Sequence, residues 1–254
     1  FDGRKFDLSA DQFPDVVSPQ GYKFLKQFRL DPFPIWTYAV EDIEIEKSVF
    51  MVNGANTILC RWVVTAGAGR DISLTLKPLR SFVDYHSLQH ESSSEHFAHT
   101  VDCDEVTIVS GSGLDLYFRH NAAEIISTGY WYKNFEYEIE RERDFDCTED
   151  LYQPFEMRFA IGDRPAEVSA STDSDAEIGH AAAEAYEVKR RKELIRQSSV
   201  RTNFEKQLVL AADQFIVSRG SGDTVIAGYP WFSDWGRDTM IALAGRSPRE
   251  AVAT

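Results

Sequence analysis

The sequence predicts a mainly β protein, an antiparallel β-sandwich, followed by a shorter helical region. From Phe1 to about Ile161, apolar and polar residues alternate with a period of two between clusters of turn residues, which is the pattern of strands with one buried face. Many short strands without intervening helices are typical of a β-sandwich. After Ser169 the sequence changes to a run rich in Ala, Glu, Lys and Arg, and these residues favour helix.

Two hairpins are the clearest strand signals. Isoleucines alternate with glutamates at 43–46, and the turn residues at 53–56 lead into a second apolar segment, so a glycine-containing loop is expected to join two antiparallel strands. A second hairpin is expected around the turn at 111–113. The predicted strands cover residues 43–52, 57–64, 70–79, 106–109, 114–119 and 155–161.

The helical region begins with capping residues at 171–175, and the run that follows predicts a helix to about Gln197. Because this helix is mostly polar, we expect it to lie across a surface or to link two domains. Apolar residues at helical spacing predict a second helix that begins near Thr202. Its end is expected at Arg219, with a cation in the last turn and Gly220 just beyond.

The charge of the chain excludes two classes of partner. The chain has 254 residues and a formal net charge of −14, from 41 acidic against 27 basic residues. Binding to a nucleic-acid backbone or an anionic membrane requires a basic protein face. We therefore expect no nucleic acid and no membrane as partner, and a neutral ligand suits the charge.

The cysteines and the apolar segments of the sequence indicate the cellular compartment of the protein. Cys60, Cys103 and Cys147 lie far apart, form no C-x-x-C motif and are odd in number, so we expect no disulfide framework, no zinc site and a reducing cytoplasm. No apolar run approaches the roughly 20 residues of a membrane span. The amino end is not a signal peptide and carries no initiator methionine, so we expect the chain to be a fragment.

The candidate ligand-binding segment lies between Gly228 and Leu243, where aromatic residues, aspartates and an arginine precede an apolar helical pattern. A pyranose ring offers an apolar face that can lie on an aromatic ring, and a rim of hydroxyls that donate and accept. Arginine donates in a fixed fork and an ionised aspartate accepts, so such a pair can bind neighbouring hydroxyls. The alternative is a helix start with buried tryptophans and one ion pair. The predicted substrate-binding residues are Trp231, Asp234, Trp235, Arg237 and Asp238.

Asp234 and Asp238 could instead be the paired carboxyl groups of a glycoside hydrolase. Their i, i+4 spacing would place both on one face of a helix, whereas the two carboxyl groups usually flank opposite faces of a sugar. Arg237 beside Asp238 also favours a carboxylate that accepts hydroxyl donors over an acid that donates a proton. We therefore favour substrate binding over acid catalysis for Asp238.

The histidines between Asp84 and His99 are the obvious metal candidate. His86 and His90 are four residues apart and could chelate from one helix face, but the spacing is not H-E-x-x-H and the surroundings are typical of a loop. We favour a polar loop at the end of a sheet, which could face a pocket. No metal site is expected.

The aromatic cluster from Tyr130 to Tyr137 precedes seven acidic residues between Glu138 and Asp150. The aromatic rings could form a sugar platform. Aromatic residues between two sheets are more often part of the core or of a domain interface, and we favour that interpretation.

Four long stretches, in a fixed order along the chain, together carry a family resemblance. They are Phe28–Tyr38, Asp84–Glu91, Gly129–Tyr137 with Glu149–Leu151, and Ala227–Leu243. The first three resemble the N-terminal domain of glycogen debranching enzymes of the bacterial and archaeal type, over nearly the whole of that domain. The last, with its Trp-Gly-Arg-Asp motif, is similar to the start of the amylo-α-1,6-glucosidase domain of the same family.

The resemblance implies three domains. A β-sandwich of the supersandwich, galactose-mutarotase-like type is expected at 1–170 and a helical linker at 171–222. The start of an (α/α)6 toroid, the six-hairpin glycosidase fold, is expected at 223–254.

The resemblance also implies roles for individual residues. In related toroidal glucosidases, an Arg-Asp pair at the start of the barrel holds the glucose of the −1 subsite. That role falls here on Arg237 and Asp238, with Trp235 as a wall of the subsite. The family's catalytic acid and base lie on later helices, so they are expected downstream of Thr254, and this chain alone is expected to be inactive.

The implied reaction of the complete protein is hydrolysis of the α-1,6-linked glucose left at a glycogen branch point, by proton transfer between carboxyl groups and water without a metal or organic cofactor. A 4-α-glucanotransferase activity could accompany it. The implied partners are glycogen or another branched α-glucan and the protein's own C-terminal catalytic domain. Two alternatives stay open: a carbohydrate-binding or domain-docking module without catalysis, and another sandwich-plus-toroid enzyme such as a glucoamylase, trehalase or disaccharide phosphorylase.

Overall fold

The computed structural model of the chain describes residues 1–84, 87–92, 98–110, 113–175, 179–229 and 232–243. The chain divides into two compact units, Phe1–His180 and Ala181–Thr254. The predicted domain boundaries at 170 and 222 stay predictions.

The first unit is rich in strands. It also contains a 3-10 turn at Gly21–Phe24 and a short helix, α1, at Glu138–Glu142. Its strands are β1 Gln12–Phe13, β2 Val16–Val17, β3 Leu25–Arg29, β4 Ile35–Val40, β5 Ile43–Met51, β6 Thr57–Ala66, β7 Ser73–Leu76, β8 His99–Asp102, β9 Glu105–Ile108, β10 Leu116–His120, β11 Glu124–Glu136, β12 Thr148–Ala160 and β13 Ala166–Ser171.

Two antiparallel sheets form the first unit, and β1 and β2 pair separately. The larger sheet has eight strands in the order β3-β4-β5-β6-β13-β10-β9-β8. The smaller has three strands in the order β11-β12-β7. The prediction of a mainly β fold with antiparallel sheets is confirmed.

The predicted hairpin at 53–56 is present. Strands β5 and β6 pair up to Met51 opposite Ile58, and Gly54 in the connection has φ of +80°, a backbone conformation that glycine adopts without steric cost. The strand predicted at 70–79 is shorter, because β7 ends at Leu76. Pro78 follows closely, and a proline cannot donate a hydrogen bond to a neighbouring strand.

The core of the first unit is an apolar layer to which both sheets contribute. Phe155 and Met157 of β12 are fully buried in one cluster with Val106 of β9 and Phe118 of β10. The rings of Phe118 and Phe155 meet edge to face at 5.5 Å between centroids, which is a favourable aromatic geometry. Burial of each such side chain contributes about 1.5–3 kcal/mol, so this layer holds the sandwich together.

The second unit contains a pair of helices joined by buried charges. Helix α2 spans His180–Ser198, so it begins at the last residue of the first unit, and α3 spans Asn203–Asp213. Arg190 donates to Glu187 in its own helix at 2.8 and 2.9 Å, and to Asp213 of α3 at 2.7 and 3.0 Å. Arg191 adds a bond to Glu187 at 2.7 Å. The Glu187 side chain is only 3% exposed, so these paired bonds stabilise a carboxylate that is out of water.

The start of α3 agrees with the sequence, but its end does not. A capping box at the amino end joins Thr202 and Glu205. The predicted continuation to Arg219 is wrong, because α3 ends at Asp213 and residues 216–219 form a strand, β14. The β-branched Ile216 and Val217 fit an extended strand better than a helix, and a strand there can pair with the segment that follows.

Among the described residues, none of the helices combines the length and the apolar character needed to cross a membrane.

We expect Phe155→Ala to lower the free energy of unfolding by about 3–5 kcal/mol, because it leaves a cavity between the two sheets. Phe145→Ala is the matched control, since Phe145 is 56% exposed, and we expect only a small change from it. Urea unfolding followed by circular dichroism measures both. Equal effects of the two substitutions would contradict the assignment of the core.

We expect Glu187→Gln to destabilise the helix pair by about 1.5–3 kcal/mol, because the charged hydrogen bonds from Arg190 and Arg191 to the carboxylate are weakened, although Arg190 keeps its bonds to Asp213. Glu193→Gln is the control in the same helix, since Glu193 pairs with Arg196 at the surface, and it should change little. Loss of helical ellipticity in urea is the readout.

The pH dependence gives this helix pair a second test. Burial opposes ionisation of Glu187, but the hydrogen bonds from Arg190 and Arg191 outweigh it and lower the pKa of this carboxyl. Its stabilisation is therefore complete above the ordinary glutamate pKa and is lost as the pH falls through the lowered value. The difference between wild type and Glu187→Gln should shrink in acid, and a difference that grows would exclude this mechanism.

Candidate functional site

The predicted ligand-binding segment lies at the edge of a small sheet in the second unit. Strand β14 pairs with β15, Gly222–Gly228, and β15 pairs with β16, Phe232–Asp234. Helix α4, Gly236–Leu243, begins two residues after β16 ends. Trp235 is therefore the single residue between the sheet and the helix.

The Asp234 carboxylate is bonded within its own sheet. One oxygen accepts a hydrogen bond from the Thr224 hydroxyl of β15 at 3.1 Å. The other accepts from the Arg219 guanidinium at the end of β14. The Asp234 side chain is 19% exposed, so this residue links all three strands from a half-buried position.

Trp235, Arg237 and Asp238 lie at the exposed start of α4. The Trp235 carbonyl accepts from the backbone N–H of Thr239 at 3.0 Å and from its hydroxyl at 3.1 Å, while 59% of the tryptophan remains exposed. Arg237 Nε lies 3.9 Å from Asp238 Oδ2, and the two side chains are 75% and 40% exposed. That separation exceeds hydrogen-bond distance, so the two charges attract one another without using an N–H donor.

The structure revises one argument from spacing. Asp234 lies on a strand and Asp238 on a helix, so the two carboxyl groups do not share a helix face as their i, i+4 spacing had indicated. Trp231, also a predicted binding residue, lies outside the described residues.

Tyr229, next to the predicted ligand-binding residues, contacts the segment between α3 and β14. The Tyr229 hydroxyl donates to the carbonyl of Gln214 at 3.2 Å, and its ring lies 5.5 Å from that of Phe215. Tyr229 is thus held against the residues that connect α3 to β14.

The exposed group at the start of α4 can bind a polyhydroxylated ligand. Arg237 offers planar donors and Asp238 offers acceptors, on adjacent residues. The exposed indole of Trp235 offers an apolar face and one N–H donor.

The histidine-rich stretch gives no metal centre among the described residues, where no group of three or more potential ligands was found; His86 and His96 lie outside that part of the chain. His99 Nε2 is 2.8 Å from the Ser127 hydroxyl, and burial lowers the pKa of His99. The His90 ring lies 3.8 Å from Asp150. These two histidines therefore have separate partners.

The aromatic cluster lies on β11, and its residues differ in burial. Tyr130 is 60% exposed, whereas the ring of Trp131 packs at 5.2 Å against that of Tyr152 on the neighbouring β12. Tyr137 follows the strand and donates its hydroxyl to Glu149. Trp131 is half-buried, and the buried aromatic residue of the cluster is Phe135, at 7% exposure. The preference for a core or interface role of the whole cluster stays a prediction.

Two consecutive buried acids, Glu149 and Asp150, bring together two of the four stretches that carry the family resemblance, Asp84–Glu91 and Gly129–Tyr137 with Glu149–Leu151. Glu149 accepts from the backbone N–H of Gln89 at 3.2 Å. Asp150 accepts from the backbone N–H groups of Glu91 and Asn134, both at 2.9 Å. The structure therefore joins 87–92, the end of β11 and the start of β12 through two carboxylates.

Asp150 also completes an irregular part of the sheet. Strand β11 changes register between Tyr132 and Phe135, and Asn134 there has φ of +62°. Such a bulge leaves a backbone group without a strand partner, and Asp150 supplies the acceptor. Burial raises the pKa of Asp150, but the bonds from Glu91 and Asn134 outweigh it, so the net pKa is lowered.

Sequence reasoning missed the roles of Glu149, Asp150, Arg219 and Thr224. The partners of the first two are distant along the chain, so no local pattern reveals them. For Arg219, the extended pattern of β14 followed by the Gly-Ser-Gly turn at 220–222 was an available hairpin signal.

Together these features define a two-unit protein: an antiparallel β-sandwich, followed by a unit that presents an exposed Trp-Arg-Asp group at the start of a helix. Residues 1–165 match the family model described as "Glycogen debranching enzyme N terminal", and residues 210–247 match the one described as "Amylo-alpha-1,6-glucosidase". The chain belongs to the glycogen debranching enzyme family and contains its N-terminal domain and the start of its catalytic domain.

Other comparisons add less. A search of curated proteins gave no match. Among solved structures, a candidate kojibiose phosphorylase from the human microbiome is similar over 82% of this chain, with 11% identity and a TM-score of 0.33. The chain spans 27% of the length of that neighbour.

We expect Asp150→Asn to lower the free energy of unfolding by about 1.5–3 kcal/mol, because a neutral amide replaces a carboxylate that accepts two hydrogen bonds. Its NH2 group would also face one of the two backbone donors. Hydrogen exchange at the amides of Glu91 and Asn134 should accelerate. Asp163→Asn, at an exposed loop position, is the control, and unchanged exchange in Asp150→Asn would contradict the proposed role of the carboxylate.

Proposed function

We propose that the complete protein hydrolyses α-1,6-linked glucose at the branch points of glycogen or a related α-glucan. This chain would supply the N-terminal domain and part of the −1 glucose subsite. The observation that carries the proposal is the exposed Trp235, Arg237 and Asp238 group, which lies inside the region matched by the amylo-α-1,6-glucosidase model. A cytoplasmic location, where glycogen would be the substrate, belongs to the same proposal.

Each residue of the group has a role set by its chemistry. Arg237 donates two parallel hydrogen bonds to neighbouring hydroxyls, and Asp238 accepts from a third. Trp235 provides the flat apolar wall. Trp231, in the same segment of the sequence, is proposed as a second wall.

The positions of Asp234 and Asp238 support substrate binding over acid catalysis by a pair of carboxyl groups within this segment. Asp234 lies on a strand, with its two oxygens bonded to Thr224 and Arg219. Asp238 lies at the exposed start of α4 beside Arg237, so the two carboxyl groups do not form a catalytic pair on one element. The catalytic acid and base are proposed to lie on other elements of the complete protein.

The substitution Arg237→Ala tests the subsite. We expect this chain to bind a branched maltooligosaccharide that carries one α-1,6-linked glucose. The loss of charged hydrogen bonds worth about 1.5–3 kcal/mol should weaken binding about tenfold or more. Isothermal titration calorimetry measures the affinity.

Arg201→Ala is the matched control, because Arg201 is exposed in the same unit but lies outside the proposed subsite. It should leave the affinity unchanged. Saturable binding that survives Arg237→Ala would instead favour a carbohydrate-binding surface on the sandwich.

A further inference from the structure

The Asp234 carboxylate connects the three strands of the sheet that precedes α4, so this residue can have a different role from the exposed residues at the start of α4. We propose that Asp234 is a positioning residue of the glucose subsite, with Arg219 and Thr224 as its partners, and that it does not itself contact the sugar. This inference rests on the proposed function.

The connectivity is the first argument. Thr224 lies on β15 and Arg219 at the end of β14, opposite Gly222. Asp234 is the last residue of β16, opposite Ile226. Its two oxygens are bonded to side chains of the two other strands, so the end of β16 is fixed relative to the whole sheet.

The position along the chain is the second argument. Trp235 follows Asp234 directly, and Arg237 is three residues beyond. The intervening Gly236 carries no side chain, so it makes no side-chain contact of its own at the junction between β16 and α4. Asp234 is the last residue bonded to the other strands before this junction, so the way it is held bears on the direction in which α4 leaves the sheet and on the placement of Trp235 and Arg237.

The difference in exposure is the third argument. The Asp234 side chain is 19% exposed, whereas those of Arg237 and Asp238 are 75% and 40% exposed. Each carboxylate oxygen of Asp234 already accepts one hydrogen bond, from Thr224 or from Arg219, and the side chain offers less exposed surface to a sugar hydroxyl than those of its neighbours in α4. Arg237 and Asp238 are beyond hydrogen-bond distance of one another, so their donors and acceptors are not used by each other.

A double-mutant cycle tests the proposal. Asp234→Asn, Arg219→Gln and the double substitution are titrated with the branched maltooligosaccharide. If Asp234 acts through Arg219, each single substitution should lower the affinity about tenfold. The double substitution should then lower the affinity no further than the more damaging single substitution does, because both remove the same interaction. Arg219→Lys should restore most of the affinity, because it keeps the charge.

A second readout follows the helix itself. Hydrogen exchange at the Thr239 amide, which is bonded to the Trp235 carbonyl, should accelerate in Asp234→Asn and in Arg219→Gln. Asp223→Asn is the control: Asp223 lies on β15 and is exposed, and its contact is a hydrogen bond from Ser218 at 3.4 Å. If Asp234→Asn fails to fold, Thr224→Val and Arg219→Gln remove the same bonds from the other side.

The possible outcomes separate the two claims. Loss of binding in Asp234→Asn with full binding in Arg219→Gln would show that Asp234 contacts the sugar, and would overturn the inference. An unchanged Thr239 exchange rate in both variants would also overturn it. If the wild-type chain binds no sugar, the proposed function fails on its own, and the exchange measurement still decides whether Asp234 positions α4.

Discussion

The first unit depends on the packing of β12 against the larger sheet. This strand lies between β11 and β7 and places Phe155, Met157 and Phe159 in the core. Its first residues include Glu149 and Asp150, whose carboxylates bind backbone donors of two other segments. One strand thus supplies the apolar layer in its second half and the buried polar contacts in its first. A buried carboxylate is stable only when its oxygens have donors, so the conformation around 87–92 follows from the placement of β12.

The second unit uses charge in the same way on a smaller scale. Arg190 joins α2 to α3 through carboxylates on each helix, and Asp234 joins the three strands that precede α4. In the helix pair the Glu187 side chain is 3% exposed, so its loss would weaken the hold on a largely shielded Arg190. In the sheet the Arg219 side chain is 67% exposed, so water can solvate its charge when Asp234 is replaced. The exposed residues at the start of α4 are thereby held on a small but defined support.

Local patterns in the sequence predicted what local forces determine. Period-two alternation located the hairpin strands. The start of α3 at Thr202 was predictable because its capping box joins two residues that are three positions apart, Thr202 and Glu205. The predicted end of α3 was wrong, because Ile216 belongs to strand β14. This strand pairs with β15, the segment that follows it in the chain, and a local helical pattern does not reveal that pairing. Asp150 and Asp234 show the same limit. The sequence around Asp234 indicated sugar binding, and nothing around Asp150 indicated a specific partner. Asp150 binds Glu91, 59 residues away along the chain, and Asp234 binds Arg219, 15 residues away.

The central claim, that the start of α4 is part of a glucose subsite, is tested most directly by the indole N–H of Trp235 in nuclear magnetic resonance spectra. On titration with the branched maltooligosaccharide, the account predicts a saturable shift of this signal, assigned with Trp235→Phe, and little change for Trp62 in the sandwich. The shift should be lost in Arg237→Ala. Saturable binding of the sugar with no change at Trp235 would contradict the account.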